Sequence, residues 1–235
     1  MLSPLENNLV NERKFSGSQL AFGQARTILE SYCTPDDWYA AGVVNSVYFD
    51  TPGFSSYRET LNGDNVKTKV RLRWYGTRDK LPGEVPVFIE VKGRFGSARR
   101  KSHEETTAPR ALLEAPLEGW EIADFLFARS AGLGLPLSRE LRPVCLVSYS
   151  RLRYFDTPSR SRVALDWDIR AERFNRALLP CAAPVRLDAL VCEFKNAGGS
   201  PPQWAALMME AGLRIGRFSK YGECMSRLIS GEPTP

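Results

Sequence analysis

Residues 67–74 alternate between basic and uncharged side chains. The basic positions are Lys67, Lys69, Arg71 and Arg73. Because the side chains of a β-strand point alternately to its two faces, this pattern predicts a strand with four positive charges on one face and apolar side chains on the other. Neighbouring cations repel one another, so the charged face must either be solvated or line a cavity that holds a polyanion. The choice between these two environments limits what the chain can fold into.

Composition excludes several classes of protein. The chain has 235 residues and a net charge of +5, so it can form a substantial core, and strong affinity for anions must come from clustered cations. His103 is the only histidine, which excludes a histidine-based catalytic triad and a multi-histidine metal site. The five cysteines are scattered without a CxxC spacing, which argues against a zinc site or a disulfide framework. The sequence has neither a signal peptide nor an apolar run of about 18 residues, so we expect a cytoplasmic protein.

Extended segments dominate the expected secondary structure. Strands are predicted at residues 11–15, 43–49, 57–61, 66–75, 87–92, 99–106, 143–155, 162–169 and 190–195. Helices are predicted at residues 17–33, 108–113, 120–130, 202–211 and 221–230. The segment Asn-Gly-Asp-Asn at residues 62–65 predicts a hairpin turn between two of the strands. The whole pattern predicts one α+β domain over residues 1–235, with its core at about 10–230 and helices at the edges of a large antiparallel sheet.

Three of the predicted strands carry the unit Glu-x-Lys. The pairs are Glu12/Lys14, Glu90/Lys92 and Glu193/Lys195, and the two members of each pair share a strand face. A solvated outer face explains any one of these strands. A closed barrel that turns all the charged faces inward would instead form a polar tunnel lined by lysine and arginine with a few carboxylates. Buried charges need partners, and a phosphate chain with a divalent metal supplies both signs of charge.

The order of motifs along the chain resembles the VTC domain, which is the polyphosphate polymerase catalytic domain of the vacuolar transporter chaperone complex. The motifs are NERKF, SVYFDT, KVRLRWYG, VFIEVKGRFG, RVALDWDIR, VCEFKNAG and RFSKYGECM. This family is one of the triphosphate tunnel metalloenzymes. The resemblance therefore implies an α+β fold built on an antiparallel eight-stranded β-tunnel with flanking helices. The ExExK signature of the wider superfamily is absent, since the first strand reads Asn-Glu-Arg-Lys.

The resemblance also implies roles for individual residues. Seven cations are expected to act in catalysis by gripping the triphosphate or the growing chain: Lys14, Arg71, Arg73, Lys92, Arg151, Arg162 and Lys220. Glu193 is expected to bind Mn²⁺ or Mg²⁺ on the phosphates. Four further residues are expected to bind substrate: Lys69, Lys101, Lys195 and Ser219. Which of the three basic side chains at residues 99–101 points toward the substrate is left open.

The implied activity is metal-dependent transfer of the γ-phosphoryl group of ATP onto a growing polyphosphate chain. Such a reaction needs positioning and charge neutralisation rather than a nucleophilic side chain, which agrees with the scarcity of histidine. Two alternatives stay open: a hydrolase that cleaves triphosphate or nucleoside triphosphates at the same site, and a non-catalytic module that binds polyphosphate or nucleic acid. ATP and polyphosphate or triphosphate are the expected partners, nucleic acid is not, and a membrane partner protein stays open.

Overall fold

The structure, a computed structural model, describes residues 11–64, 66–95, 98–130, 137–196 and 202–231. Its strands are β1 Asn11–Gly17, β2 Thr34–Pro35, β3 Ala41–Asp50, β4 Val66–Tyr75, β5 Glu84–Phe95, β6 Ala98–Pro109, β7 Arg142–Asp156, β8 Ser161–Phe174, β9 Val185–Leu187, β10 Leu190–Asn196 and β11 Arg214–Ile215. Its helices are α1 Phe22–Tyr32, α2 Ser55–Asn62, α3 Arg110–Glu114, α4 Glu121–Arg129, α5 Trp204–Glu210 and α6 Lys220–Ser230. The prediction of an antiparallel sheet with flanking helices is confirmed. The described residues contain eleven strands, three of which have only two or three residues.

The chain divides into two compact units. The first consists of segments within Met1–Gly42, Ser150–Asp168 and Asp188–Phe218. Its strands follow the order β11-β1-β10-β8-β7, with β2 paired to β7. The core of the unit lies under helices α1 and α5. There Phe15 stacks on Phe194 at a ring distance of 5.9 Å, and Trp204 meets Phe194 edge-on at 5.3 Å. These buried side chains fix which face of β1 and β10 packs inward.

The second unit is drawn from Val43–Tyr149, Ile169–Leu187 and Ser219–Pro235. Its strands follow the order β7-β3-β4-β5-β6, and β9 pairs with β8. Side chains from β4 and β5 form its core with residues of α3 and α4, among them Leu72, Ile89, Leu113 and Leu126. Within the described residues, no helix of either unit has the length and apolar character needed to cross a bilayer.

The alternation predicted for the charged strands is confirmed on β4, β5 and β10. Val70 and Leu72 of β4 are buried in the core of the second unit. So are Val87, Ile89 and Val91, which occupy alternate positions of β5. On β10, Cys192 and Phe194 are buried in the core of the first unit. The period-2 pattern therefore places one face of each strand against a core and leaves the face with the cations outside that core.

The strand predicted at residues 57–61 is wrong, because this segment belongs to helix α2. The cause is the buried Asp50 at the end of β3, whose carboxylate accepts the backbone N–H groups of Ser56 at 2.9 Å and Tyr57 at 3.0 Å. These N–H groups of the first helical turn would otherwise lack partners. Gly63 adopts φ +74° and ends the helix, so the segment predicted as a hairpin turn is a helix terminus instead. Residue 65 lies outside the described residues.

The predicted helix at residues 17–33 is shorter at its start than expected. Residues up to Gly17 belong to β1, Gln19–Ala21 form a 3-10 turn, and α1 begins at Phe22. Ser18 marks the change of structure, because its side chain accepts the backbone N–H of Leu20 at 3.2 Å. The other four predicted helices are found close to their expected bounds.

Candidate functional site

The cations of β4 share one strand face in the second unit. Lys69, Arg71 and Arg73 lie opposite the side chains that pack into the core. Arg73 is buried, and Lys69 and Arg71 are half-buried. The side chain of Lys67 lies outside the described residues. This face is therefore not a freely solvated surface row, and its charges need nearby counter-charges.

Glu90 of β5 supplies such a counter-charge. The register of β4 and β5 pairs Arg71 with Glu90. Nε of Arg71 donates to Oε2 of Glu90 at 2.5 Å, and Nη2 contacts the same oxygen. Nη1 of Arg73 reaches Oε1 of Glu90 at 3.5 Å. Burial by itself would raise the pKa of Glu90, but the charges of Arg71 and Arg73 outweigh burial and lower this pKa to about 2, so Glu90 is ionised at neutral pH.

Two residues of β3 hold the same arginines from the neighbouring strand. Nη1 of Arg71 donates to Oη of Tyr48 at 3.1 Å, and Nε of Arg73 donates to Oγ of Ser46 at 3.3 Å. Burial would raise the pKa of the Tyr48 phenol, but the charges of Arg71 and Arg73 outweigh it, so the pKa is lowered. Side chains of β3 and β5 therefore orient both guanidinium groups.

The first turn of α6 adds a hydroxyl and a cation to this group. Ser219 caps the helix by accepting the backbone N–H of Gly222 at 3.2 Å, and its Oγ also accepts from Nζ of Lys69 at 3.0 Å. Nζ of Lys220 lies 4.7 Å from the ring centroid of Tyr149. A helix N-terminus carries partial positive charge, so Ser219 and Lys220 lie where an anion is stabilised.

Lys92 extends the cationic face onto β5. It pairs in register with Lys69 of β4 and with Lys101 of β6. Lys92 is exposed, and its charge also helps to lower the pKa of Glu90, after the larger effects of burial and of the two arginines. The side chain of Lys101, like those of residues 99 and 100, lies outside the described residues. His103 stacks on Phe88 at a ring distance of 5.2 Å.

The first unit has a charged cluster of its own, made of two lysines and two glutamates. Lys14 lies 3.2 Å from Glu12 and 3.4 Å from Glu193, and Lys195 lies 2.9 Å from Glu193 and 3.6 Å from Glu12. Burial would lower the pKa of Lys14, but the carboxylates of Glu193 and Glu12 outweigh it and raise this pKa. The structure therefore brings together three of the predicted site residues, and adds Glu12.

Arg151 and Arg162 occupy different surroundings in the same unit. Arg151 donates from Nε and Nη2 to the two carboxylate oxygens of Asp166, at 2.6 and 2.8 Å, and the side chain of Asp166 is fully buried. Arg162 is exposed and pairs in register with Lys195. Arg151 is therefore held by a two-pronged ion pair, whereas Arg162 lies beside Lys195 on the neighbouring strand with its side chain exposed.

Glu12 and Glu193 are the candidate metal ligands of this cluster. Among the residues that the structure describes, no group of three or more His, Cys, Asp or Glu side chains could hold a metal ion. Glu12 and Glu193 nevertheless share the same two lysines, so their carboxylates lie close together. Carboxylate oxygens suit Mg²⁺ and Mn²⁺, and Mg²⁺ is commonly held by one or two carboxylates together with substrate phosphates. The residues present therefore fit a divalent metal that is shared with a phosphate ligand.

Sequence reasoning assigned no role to several residues that contact the predicted cations. They are Glu12, Ser46, Tyr48, Glu90, Tyr149 and Asp166. Glu90 could have been found from the sequence, because folding residues 66–95 into a hairpin around the Pro82-Gly83 loop brings the Arg-x-Arg strand beside the Glu-x-Lys strand. Asp166 gave a similar signal, because it lies only 15 positions after Arg151, on the next strand. Tyr48 did not, because β3 pairs with β4 across the segment 57–61, which was predicted to be a strand.

One family of known proteins matches most of the chain. The sequence profile of the VTC domain matches residues 11–119 and 134–229. These two ranges contain every predicted site residue. No curated protein matches the chain in sequence.

Three solved structures are similar to the chain at low sequence identity. A proposed adenylate cyclase from Bacillus halodurans is 16% identical with a TM-score of 0.44, over 95% of this chain and 92% of that one. A proposed adenylate cyclase from Vibrio parahaemolyticus is 13% identical with a TM-score of 0.47, over 94% and 99%. A conserved hypothetical protein from Pyrococcus furiosus is 12% identical with a TM-score of 0.43, over 90% and 98%.

Proposed function

Because the chain belongs to the VTC domain family, we propose that it is a metal-dependent polyphosphate polymerase. Its substrates are ATP and a polyphosphate chain, and it transfers the γ-phosphoryl group of ATP to the end of that chain. The observation that carries this proposal is the row of partly desolvated cations on β4, namely Lys69, Arg71 and Arg73, beside the N-terminus of α6. An anion with several charged groups matches such a row better than a single carboxylate does.

The chemistry of phosphoryl transfer agrees with these residues. The transferred group carries charge on its oxygens in the transition state, so catalysis depends on positioning and on charge neutralisation. The guanidinium groups of Arg71 and Arg73 are oriented in advance by Tyr48 and Ser46, which lowers the entropy that binding must overcome. Lys220 and Ser219 add a cation and a hydroxyl at the start of α6. No nucleophilic side chain is required.

Glu193, with Glu12 beside it, would hold the divalent metal. The metal would neutralise charge on the phosphate oxygens that it shares with the lysines. Lys14 and Lys195 contact both carboxylates. They balance the two negative charges and orient the carboxylate groups. We propose Mn²⁺ or Mg²⁺, since both take oxygen ligands of this kind.

The eight-stranded antiparallel tunnel that the family resemblance implies is part of the same proposal. Eight of the described strands have seven residues or more, and they are β1, β3, β4, β5, β6, β7, β8 and β10. The separation of core faces from cationic faces on β4, β5 and β10 supports it. The short strands β2, β9 and β11 would then be additions at the ends of longer ones.

The proposed activity is tested by incubating the full chain with ATP and Mn²⁺ and separating the products on a gel. We expect a ladder of polyphosphate that lengthens with time and that is lost when the metal is chelated. Free phosphate without a ladder would favour the hydrolase. Binding of polyphosphate without turnover of ATP, at any metal concentration, would favour the non-catalytic module.

A further inference from the structure

The carboxylate of Glu90 contacts the N–H edge of Arg71 that is best suited to bind phosphate. A guanidinium binds phosphate or carboxylate most strongly through a pair of parallel N–H groups. On Arg71, the pair formed by Nε and Nη2 faces Oε2 of Glu90, and Nη1 donates to Tyr48. A phosphate that takes this edge of Arg71 must therefore exchange with Glu90.

Glu90 does not belong to the core that stabilises the strand. It lies on the cationic face, in register with Arg71, whereas its neighbours Ile89 and Val91 are the residues that pack into the core. Its second oxygen reaches Arg73 only at 3.5 Å, so the contact with that arginine is long. Glu90 therefore acts on the arginines and not on the packing of β5.

The charges around Glu90 favour the empty and the occupied states differently. With no anion bound, the carboxylate separates two poorly solvated guanidinium groups that would repel each other. With phosphate bound, the phosphate provides the same acceptors and more charge, and Glu90 becomes a like charge beside it. Because burial is outweighed by the two arginines, the pKa of Glu90 is lowered to about 2, so its charge is retained at neutral pH.

We infer that Glu90 is an internal counter-anion that competes with the phosphate chain for Arg71 and Arg73, weakening its binding and promoting its release. This inference rests on the proposed function and deepens it. An enzyme that extends a chain must let that chain move after each addition, and a site made only of cations would hold it too tightly. Glu90 limits that affinity while it stabilises the empty protein.

The inference predicts that the effects of Glu90→Gln on stability and on binding have opposite signs. Without ligand, the variant should melt at a lower temperature than the wild type, because the arginines lose their counter-charge. It should bind inorganic triphosphate more tightly, by about tenfold, the scale of one nearby unit charge in a partly buried site. Titration calorimetry of the full chain with triphosphate, in the presence of a chelator, measures the binding without any contribution from metal.

Glu105→Gln is the matched control. Glu105 is exposed on β6 and pairs in register with Phe88, so it lies on the same face two residues from the partner of Glu90. It has no described contact with either arginine, and its replacement removes the same charge. We expect this variant to change the affinity for triphosphate much less than Glu90→Gln does. Equal effects of the two variants would show a general charge effect and overturn the role of Glu90.

A second variant keeps the test informative if Glu90→Gln does not fold. Glu90→Asp retains the charge but is one methylene shorter, so it should loosen the contact with Arg71 and bind triphosphate more tightly than the wild type. Weaker binding by either variant would mean that Glu90 orients the arginines for the ligand. That result would contradict the inference but not the proposed function. If neither the wild type nor the variants bind triphosphate, the proposed function and the inference both fail.

Discussion

At the scale of single residues, the acidic side chains distinguish this site from a simple basic surface. Glu90, Glu193 and Asp166 each contact at least one of the predicted phosphate-binding cations. An exposed ion pair contributes little to stability, but a partly buried one is sensitive to the loss of either partner. Replacing one of these carboxylates should therefore change the stability of the protein measurably.

Glu90 should make stability depend on pH in the acid range. Its pKa is lowered from 4.5 to about 2 by folding, so the unfolded chain takes up the proton first as the pH falls. The contribution of the ionised form is fully present above about pH 4.5 and is lost as the pH falls toward 2. We expect the difference in free energy of unfolding between wild type and Glu90→Gln to shrink over this range by on the order of 3 kcal/mol. Urea unfolding at a series of pH values measures this difference, and a difference that stays constant would contradict the prediction.

Glu193→Gln should abolish metal-dependent turnover while the protein remains folded. The side chain of Glu193 is 14% exposed and contacts Lys14 and Lys195 rather than the core, so its main loss is the charge that would hold the metal. Assays over a range of Mn²⁺ concentrations, with circular dichroism as the check on folding, test this. Glu210→Gln, an exposed position on α5, is the matched control and should keep full activity. Full activity of Glu193→Gln at ordinary metal concentrations would reject the assignment.

At the scale of elements, the cations of β4 differ from one another although the sequence pattern treats them alike. Lys69 contacts the hydroxyl of Ser219, whereas Arg71 contacts a carboxylate whose side chain is 9% exposed. The repulsion expected from the sequence is relieved by Glu90 of the neighbouring strand. The register of β4 and β5 therefore decides which cation also has a structural role.

Arg71→Ala should consequently destabilise the protein more than Lys69→Ala does. Removing Arg71 leaves Glu90 buried with only its long contact to Arg73, and loss of one partner from a buried ion pair costs about 3–5 kcal/mol in comparable cases. Both variants should weaken binding of triphosphate, Arg71→Ala by roughly 1–3 kcal/mol. Thermal unfolding and calorimetry of the two variants give both quantities. Equal melting temperatures of the two variants would show that the Arg71 and Glu90 pair has no structural role.

At the scale of the whole molecule, the two compact units separate their core faces from their charged faces in the same way. Each unit has its own buried cluster, and the predicted phosphate-binding cations of β4, β5 and β10 lie on the strand face that points away from that cluster. A protein with a net charge of only +5 can in this way concentrate positive charge without being strongly basic overall.

Anions should stabilise the protein in the order triphosphate, pyrophosphate, phosphate. Cations two residues apart on a strand are about 6–7 Å apart, so a longer anion contacts more than one of them, and binding to the folded state raises the melting temperature by mass action. A melting series with these anions and with single-stranded RNA, at low and moderate salt, measures the order. A flat basic surface would respond to RNA as strongly as to triphosphate and would lose the response in salt. That result would favour the nucleic-acid-binding alternative.

The sequence by itself determined the positions of the long strands, the phase of their cationic faces and the family. Lys69, Arg71 and Arg73 had to share a face because alternation in a strand is a local property of the backbone. A hairpin brings Glu90 near the Arg-x-Arg strand, but only the tertiary structure decided the register that places Glu90 opposite Arg71 and not opposite Arg73. The same holds for α2, which forms at a segment with a strand-like sequence because the carboxylate of Asp50, at the end of β3, accepts N–H groups of its first turn. Register and capping depend on contacts between separate elements, and a pattern within one segment does not contain them.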